Sequence, residues 1–216
     1  MRRSVVLLAA AAAVLFPACR AAAADLELQQ FAQKAPPSGS LLVATEKLGD
    51  PAFAKSVILI VDSDDQGTVG LMINRQTTVP ISRIFKRKRA GSDPVYIGGP
   101  VELRSVQALL RSSVRVSDAT RVVGSVYDTA DRDAIEKGID SRAGPSKFRL
   151  YLGYAGWGPG QLQHEISLGA WSMMAASAAI VFDSHPDSLW TRLNARLHMQ
   201  IVKNVRHKTS EISMVR

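Results

Sequence analysis

Apolar runs separated by short polar connectors dominate the chain from residue 40 onwards. The runs SLLVAT (40–45), VILIV (57–61) and TVGLMI (68–73) are rich in aliphatic and β-branched residues, which predicts buried strands. The connector DSDDQG between the last two runs is acidic and ends in glycine. Such a connector predicts a β-hairpin.

The rest of the chain mixes strand and helix patterns. Further strands are predicted at VYIG (95–98), VQALLRS (106–112), VRVS (114–117), RVVGSVY (121–127), KFRLYLG (147–153) and ASAAIVF (176–182). Helical segments are predicted after Asp50-Pro51, within VPISRIFKRKR (79–89), from Thr129 to Gly138, from Gln161 to Leu168 with Gly169 as the stop, and after Asp187. Because helices and strands do not alternate as regular βαβ units, the pattern favours an α+β fold over a doubly wound sheet.

The first 24 residues have the pattern of a secretory signal peptide. Arg2 and Arg3 precede an uncharged apolar run from Val5 to Phe16, and small residues follow up to Ala24. The run is short for a permanent membrane helix, which needs roughly 20 apolar residues. We therefore predict cleavage after Ala24, export to the periplasm, and no transmembrane span in the mature chain.

The sequence pattern predicts four segments in the 216-residue chain: a signal peptide (1–24), a polar lead-in (25–38), a single domain (39–202) and a basic tail (203–216). Cys19 is the only cysteine and lies inside the leader, where FPAC is a poor match to a lipid-attachment box. The mature chain then has no thiol for a disulfide, a nucleophile or a metal site. Its stability must come from a packed core.

Two basic clusters, KRKR (86–89) and the tail, contribute to a formal net charge of +8 for the whole chain. Such clusters could contact phosphates or an anionic membrane surface. No aromatic residues interleave with either cluster to stack on bases. We therefore interpret them as solvated charge, and nucleic-acid binding is not favoured.

The stretch YLGYAGWGPGQLQHEI (151–166) combines glycines with aromatic residues. Its spacing G-x-G-x-G differs from the dinucleotide-binding fingerprint, and Pro159 removes a backbone donor that a phosphate would use. We expect no cofactor here and interpret the glycines as a tight strand-to-helix corner covered by Trp157. Gln161 and Glu165 lie one helical turn apart and are expected to bond each other or nearby amides.

Metal sites are also not expected. His164 lacks the second histidine that a zinc protease places four residues later, because residue 168 is Leu. His185 with Asp183 and Asp187 could supply ligands, but FDSHPD is more typical of a capping turn. The DSDDQG connector lacks the glutamate that closes an EF-hand calcium loop.

Four separated stretches resemble the YqgE/AlgH family: GSLLVATEKLGDPAFAKSVILIV, GTVGLMINR, VYIGGPV and LGYAGWGPGQLQHEISLGAWSMMAA. The resemblance runs from about Gly39 to Trp190 in the family's order. It implies an α+β fold in which a bifurcated, mainly antiparallel β-sheet curls into a pseudo-barrel with helices packed around it. Members are largely uncharacterised, and one branch is named as a transcriptional regulator of alginate production.

The resemblance leaves the molecular activity open, so we hold two hypotheses. The first is a non-enzymatic regulatory or interaction protein that binds a protein or small-molecule partner. Its interaction surface would comprise Asn74, Gly98, Gly99, Pro100, Tyr154, Trp157, Gln161 and Glu165. The alternative is a hydrolase-type enzyme using Glu165 with Asn74 or His164 across a cleft. Family members are typically cytoplasmic, which is the alternative to export for this chain.

Overall fold

The computed structural model of this chain describes residues 35–86 and 91–199. Several sequence predictions fall outside them: the signal peptide (1–24), most of the lead-in (25–38), most of the basic run (86–89) and the basic tail (203–216).

Ten strands and five α-helices build the described part of the chain. The strands are β1 (Ser40–Ala44), β2 (Val57–Ser63), β3 (Thr68–Met72), β4 (Gln76–Pro80), β5 (Pro94–Ile97), β6 (Val101–Arg111), β7 (Thr120–Val123), β8 (Val126–Thr129), β9 (Phe148–Trp157) and β10 (Trp171–Ala175). The helices are α1 (Ile81–Ile84), α2 (Arg132–Asp140), α3 (Gln161–Ser167), α4 (Ala178–Val181) and α5 (186–199), and a 3-10 turn covers Pro51–Phe53.

The strands form one sheet in the order β10-β1-β2-β3-β9-β6-β8-β7, and it divides at β9. On one edge, residues 155–157 of β9 pair antiparallel with β3, while residues 150–152 pair parallel with β5, which also pairs with β4. The other edge of β9 pairs with β6. The sheet curls into a half-barrel with helices packed against it, which confirms the expected bifurcated, mainly antiparallel α+β architecture.

Glycines allow the chain to cross itself where the sheet divides. A Cβ atom on Gly98 or Gly99 would overlap the backbone of β9 at Gly153 or Tyr154. Gly153 has a φ of 68°, and a Cβ atom there would lie 2.6 Å from the Gly99 oxygen. Only glycine fits such a close approach of two backbones without displacing one of them.

Both faces of the central strands are buried, so these strands are continuously apolar rather than alternating. In β1, Leu41 and Val43 belong to one apolar cluster while Leu42 and Ala44 belong to another, and all four are fully buried. A third cluster lies between α2, β5, β6 and β9. The predicted strands at 40–45, 57–61 and 68–73 and their hairpin are confirmed.

Helix α2 begins two positions later than the pattern indicates and continues past Gly138. Asp131, rather than Thr129, caps it, since its carboxylate accepts a hydrogen bond from the Ala134 amide at 2.8 Å. Gly138 lies inside the helix because a Cβ atom there would overlap the Phe148 ring. Here glycine marks close packing of a helix on a strand rather than a helix end.

Three predicted strands are not single strands in the structure. Residues 114–117 form no strand, and residues 121–127 form a hairpin, β7 and β8, that turns at Gly124 with a φ of 53°. Residues 176–182 contain helix α4, because the Ser177 hydroxyl caps the Ile180 amide. Strands β4 and β10 lie in segments with weak apolar alternation and were not predicted.

Helix α5 starts at residue 186, so Asp187 lies inside the helix and is not its cap. The Asp183 carboxylate instead accepts a hydrogen bond from the His185 amide at 2.8 Å, and Arg192 donates to both of its oxygens. Hydrogen bonding from Arg192 lowers the pKa of Asp183. The FDSHPD segment is thus a turn that Asp183 holds before α5, and the predicted cap at Asp187 is wrong. Leu189 and Leu193 pack into the core as the periodicity indicates.

Candidate functional site

The glycine-rich stretch forms the end of β9, a turn and the start of α3. Strand β9 continues to Trp157, which is further than the predicted 147–153, and residues 158–160 then reverse the chain. Gly160 has a φ of 75° directly before α3, so a left-handed residue makes the corner. Helix α3 ends at Ser167, and Gly169, with a φ of 74°, follows as the predicted stop.

The Glu165 carboxylate holds this corner together. Its Oε2 accepts hydrogen bonds from Trp157 Nε1 at 3.0 Å and from Trp171 Nε1 at 2.8 Å. Its Oε1 accepts from Gln161 Nε2 at 2.9 Å, and Gln161 Oε1 accepts from the Gly158 amide at 3.1 Å. The expected bond between Gln161 and Glu165 is therefore present. One carboxylate links β9, the turn, α3 and β10.

Three aromatic rings pack under that carboxylate. Trp157 and Trp171 meet edge to face with their centroids 6.0 Å apart, and Phe53 stacks on Trp157 at 6.2 Å. Trp157 and Trp171 are only 5% and 3% exposed. We call Phe53, Trp157, Gln161, Glu165 and Trp171 the aromatic corner. Buried indole N–H groups need acceptors, and Glu165 supplies one to each.

Asn74 serves the backbone of a neighbouring segment. Its Oδ1 accepts a hydrogen bond from the Val57 amide at 2.8 Å, and its Nδ2 donates to the Lys55 carbonyl at 3.0 Å. The side chain is 8% exposed. Asn74 therefore satisfies a backbone donor at the start of β2 and a backbone acceptor just before it.

The other residues of the predicted interaction surface divide by burial. Gly98 and Gly99 are buried where the sheet divides, so their role is to let two backbones approach. Pro100 and Gln161 are exposed and Tyr154 is half-buried. The accessible part of that surface is thus smaller than the sequence pattern indicates.

The contacts give the hydrolase alternative no support. Glu165 bonds to the aromatic corner and Asn74 to the backbone of residues 55 and 57, so neither is held by the other. His164 is exposed on α3. Within residues 35–86 and 91–199, no three His, Cys, Asp or Glu side chains are grouped to hold a metal ion.

A cleft of about 480 Å³ lies beside the aromatic corner, between the β2–β3 hairpin and β9. Its lining includes Asp62, Asp64, Val101, Tyr154 and Trp157. We call it the acidic cleft, since the charged groups in its lining are carboxylates. The cleft is lined by Tyr154 and Trp157 from the predicted surface and by two carboxylates of the DSDDQG connector. The sequence predicts only a hairpin at that connector.

A second set of polar groups is buried on the sheet face of the largest apolar cluster. The Arg149 guanidinium donates to the carbonyls of Pro145, Val181 and Asp183 and lies 4.9 Å from the Tyr96 ring centroid. Across the sheet, Gln107 is the register partner of Tyr151. The buried atoms Gln107 Oε1, Asp128 Oδ1 and Tyr151 Oη have no hydrogen-bond partner among the described residues. Burial raises the pKa of Asp128 to about 7 and also raises that of Tyr151.

Sequence reasoning missed Phe53 and Trp171 as parts of the corner, and it missed Asp62 and Asp64 as part of a cleft. No local spacing connects residue 53 with residue 157. The available signal was the second tryptophan, six residues beyond Glu165, since two indoles near one helix need acceptors.

Comparisons with known proteins agree with this architecture. The AlgH-like family model (DUF179) matches residues 41–202. A UPF0301 protein of Burkholderia ambifaria is 34% identical over 156 residues, covering 68% of this chain and 81% of that protein. A UPF0301 protein of Burkholderia mallei is 35% identical over 157 residues, with the same coverage.

Two solved structures share the fold. The AlgH protein from Pseudomonas aeruginosa superposes with a TM-score of 0.63 at 30% identity, covering 76% of this chain and 92% of that one. A protein from Corynebacterium diphtheriae superposes with a TM-score of 0.62 at 26% identity, covering 76% and 88%. The match of the family model over most of the chain and these relatives show that the chain belongs to the AlgH-like family.

Proposed function

We propose that this chain is a non-enzymatic interaction protein whose acidic cleft receives a cationic segment of a protein partner. The observation that carries the proposal is the lining of that cleft, in which carboxylates stand beside the accessible aromatic residue of the predicted surface. Recognition of a cation by carboxylates and an aromatic face needs no reacting group.

The carboxylates of the acidic cleft retain acceptor capacity. Asp62 Oδ1 accepts a hydrogen bond from the Ser63 amide, and Asp64 Oδ1 accepts from the amides of Gln66 and Gly67. Within the described ranges, neither Oδ2 atom has a hydrogen-bond partner. The bonded oxygens fix the hairpin loop, and the second oxygens can accept from an ammonium or a guanidinium group.

Tyr154 supplies the aromatic face of the cleft. Its ring lies over Gly156, where a Cβ atom would come within 3.2 Å of Tyr154 Cε2. The ring is held between β9 and the apolar cluster and stays half-buried. A cation over such a ring gains about 0.5–2 kcal/mol, depending on its desolvation.

The aromatic corner supports the proposal by its chemistry. Glu165 accepts three hydrogen bonds inside the fold. A general base must be within reach of a substrate proton, whereas this carboxylate is directed at two buried indoles. The corner therefore positions Trp157 at the edge of the acidic cleft instead of acting on a substrate.

Binding of a labelled peptide of alternating lysine and serine, measured by fluorescence anisotropy, tests the proposal. We expect saturable binding that weakens as salt is added and that is lost in Asp62→Asn/Asp64→Asn. Asparagine keeps the amide-accepting oxygen of each turn, so the loop is preserved. Glu46→Gln/Asp133→Asn removes the same charge from exposed positions elsewhere and should bind like the wild type. Equal binding by the two double variants would overturn the proposal.

We also propose that the partner is met outside the cytoplasm. The leader pattern at residues 1–24 supports this, since it combines two arginines, an apolar run and a small-residue cleavage site. Fractionation and N-terminal sequencing of the full-length protein test it. Recovery from the periplasm with Asp25 as the first residue is expected, and intact protein confined to the cytoplasm would refute it.

A role in transcription stays a prediction from the family resemblance. The basic run 86–89 and the tail that such a role would use lie largely outside the described residues.

Among the described helices, none is long and apolar enough to cross a membrane.

A further inference from the structure

A second cleft, of about 360 Å³, lies between α2, the end of β6 and the start of β9. We call it the basic cleft, because Arg111, Lys137 and Lys147 line it and no described carboxylate does. We propose that the basic cleft binds a medium-chain fatty carboxylate, with the head group at the three cations and the aliphatic chain on the apolar floor.

The floor of the basic cleft is apolar and rigid. Leu110 and Phe148 are register partners on β6 and β9, and Ala134 presents a small side chain from α2. Gly138 lies directly against the Phe148 ring. Because β6, β9 and α2 are packed together here, the floor is preformed and can receive an aliphatic chain without rearrangement.

The cations come from three different segments. Arg111 is the last residue of β6, and its amide donates to the Lys147 carbonyl at 2.8 Å, so the two basic residues are neighbours across the sheet. Lys137 projects from the last turn of α2. Within the described residues, none of these three side chains has a hydrogen bond or an ion pair.

Like charges on neighbouring strands are unfavourable unless an anion lies between them. The dipole of α2 accounts for a lysine in its last turn. It does not account for an arginine and a lysine whose backbones pair where β6 ends and β9 begins. A bound carboxylate would accept hydrogen bonds from these groups and remove their repulsion.

The dimensions suit a small amphiphile. Ligand pockets usually enclose about 300–1,000 Å³, so the basic cleft is at the lower end of that range. Its lining also includes the polar residues Ser112 and Ser117. Because the acidic cleft has the opposite charge, this inference stands independently of the proposed function.

Amide chemical-shift titration of the full-length protein with sodium decanoate below its micellar concentration tests the inference. We expect saturable shifts at Lys137, Gly138 and Phe148. Acetate, which lacks the chain, should bind at least about tenfold more weakly, because it buries no aliphatic surface on the floor of the cleft. Decyltrimethylammonium, which has the chain with the opposite charge, should not shift these amides.

The decisive variant is Arg111→Gln/Lys147→Gln, in which two exposed cations are neutralised. We expect decanoate affinity to fall about tenfold or more, since two charge-assisted contacts are lost. Lys47→Gln/Arg104→Gln removes the same charge from exposed positions outside the cleft and should bind like the wild type. Unchanged affinity in the first variant, or equal losses in both, would overturn the inference.

A membrane surface is the other source of such chemistry, and a separate arm distinguishes it. Flotation with phosphatidylglycerol vesicles measures surface binding in the absence of free carboxylate. Vesicle binding without saturable decanoate shifts would overturn the inference. The basic cleft would then bind an anionic membrane surface and not a single fatty carboxylate. Decanoate binding without vesicle binding supports it.

Discussion

The aromatic corner and the basic cleft differ in whether their charged groups already have partners. In the corner, Glu165 accepts hydrogen bonds from Trp157, Trp171 and Gln161, and the two indoles are buried. In the basic cleft, Arg111 and Lys147 are exposed, adjacent and unpaired within the described residues.

The difference separates residues that stabilise the fold from residues that are available to a ligand. A buried polar group with partners contributes to stability, and its loss leaves those partners unsatisfied. An exposed charge near another of the same sign contributes little or is unfavourable. The most distinctive stretch of the sequence is therefore mainly structural, while the available charges lie in less distinctive segments.

Gly99→Ala should have the largest effect on stability. The new Cβ atom would overlap the backbone of Tyr154, which cannot move without separating β5 from β9. We expect a loss of roughly 4 kcal/mol or more in the free energy of unfolding, measured with urea, or no folded protein at all. Gly49→Ala, in open space, is the control and should change stability by less than about 1 kcal/mol. A folded Gly99→Ala protein of normal stability would refute the crossing described for the dividing sheet.

Glu165→Leu should have the next largest effect. Two buried indole N–H groups would lose their acceptor, at a cost of about 2–4 kcal/mol in the free energy of unfolding. Glu46→Leu, at an exposed position, should alter the urea midpoint far less. If both substitutions had the same small effect, the corner would not be structural, and a reactive role for Glu165 would return.

Asp128→Asn should change how stability depends on pH. Burial raises the pKa of Asp128 from 3.8 to about 7, so the folded chain holds a proton that the unfolded chain releases at lower pH. The stability that this bound proton contributes to the folded chain is fully present below the unfolded pKa. It is lost as pH rises from about 4 through about 7. We expect Asp128→Asn to be more stable than the wild type by on the order of 2 kcal/mol at pH near 8, and similar at pH near 4. If the free energies of unfolding of Asp128→Asn and the wild type differed by the same amount at every pH in this range, the raised pKa of Asp128 would be contradicted.

Arg111→Gln/Lys147→Gln should have the smallest effect on stability. Neither cation has a partner among the described residues, so the free energy of unfolding should stay within about 0.5 kcal/mol of wild type or rise slightly. Thermal unfolding at low and moderate salt measures this. A loss of several kcal/mol would show that these cations stabilise the fold. The basic cleft would then not differ from the aromatic corner in this respect.

Much of the fold could be predicted because its strands are continuous apolar runs. Both faces of β1, β2 and β3 are buried, so their signal is strong, and the acidic connector marks their hairpin. Helix α4 was mistaken for a strand because ASAAIVF is apolar except for Ser177. In so short an apolar run only the Ser177 cap distinguishes the two structures.

The site was harder to predict because its contacts are distant in sequence. Glu165 and Gln161 are one helical turn apart, so their bond could be expected from spacing alone. The packing of Phe53 on Trp157 depends on the topology of the sheet. The basic cleft likewise depends on β6, α2 and β9 meeting, and no motif marks its three cations.

Hydrogen exchange of the indole protons tests the central claim most directly. Two-dimensional ¹⁵N–¹H spectra resolve the Nε1–H groups of Trp157, Trp171 and Trp190, and the last donates to the Ala44 carbonyl at 2.7 Å and serves as an internal reference. We predict that Trp157 and Trp171 are protected as strongly as Trp190 and that Glu165→Gln weakens the protection of both together. Exchange of both indoles at the rate of a solvent-exposed tryptophan would show that Glu165 does not hold the corner.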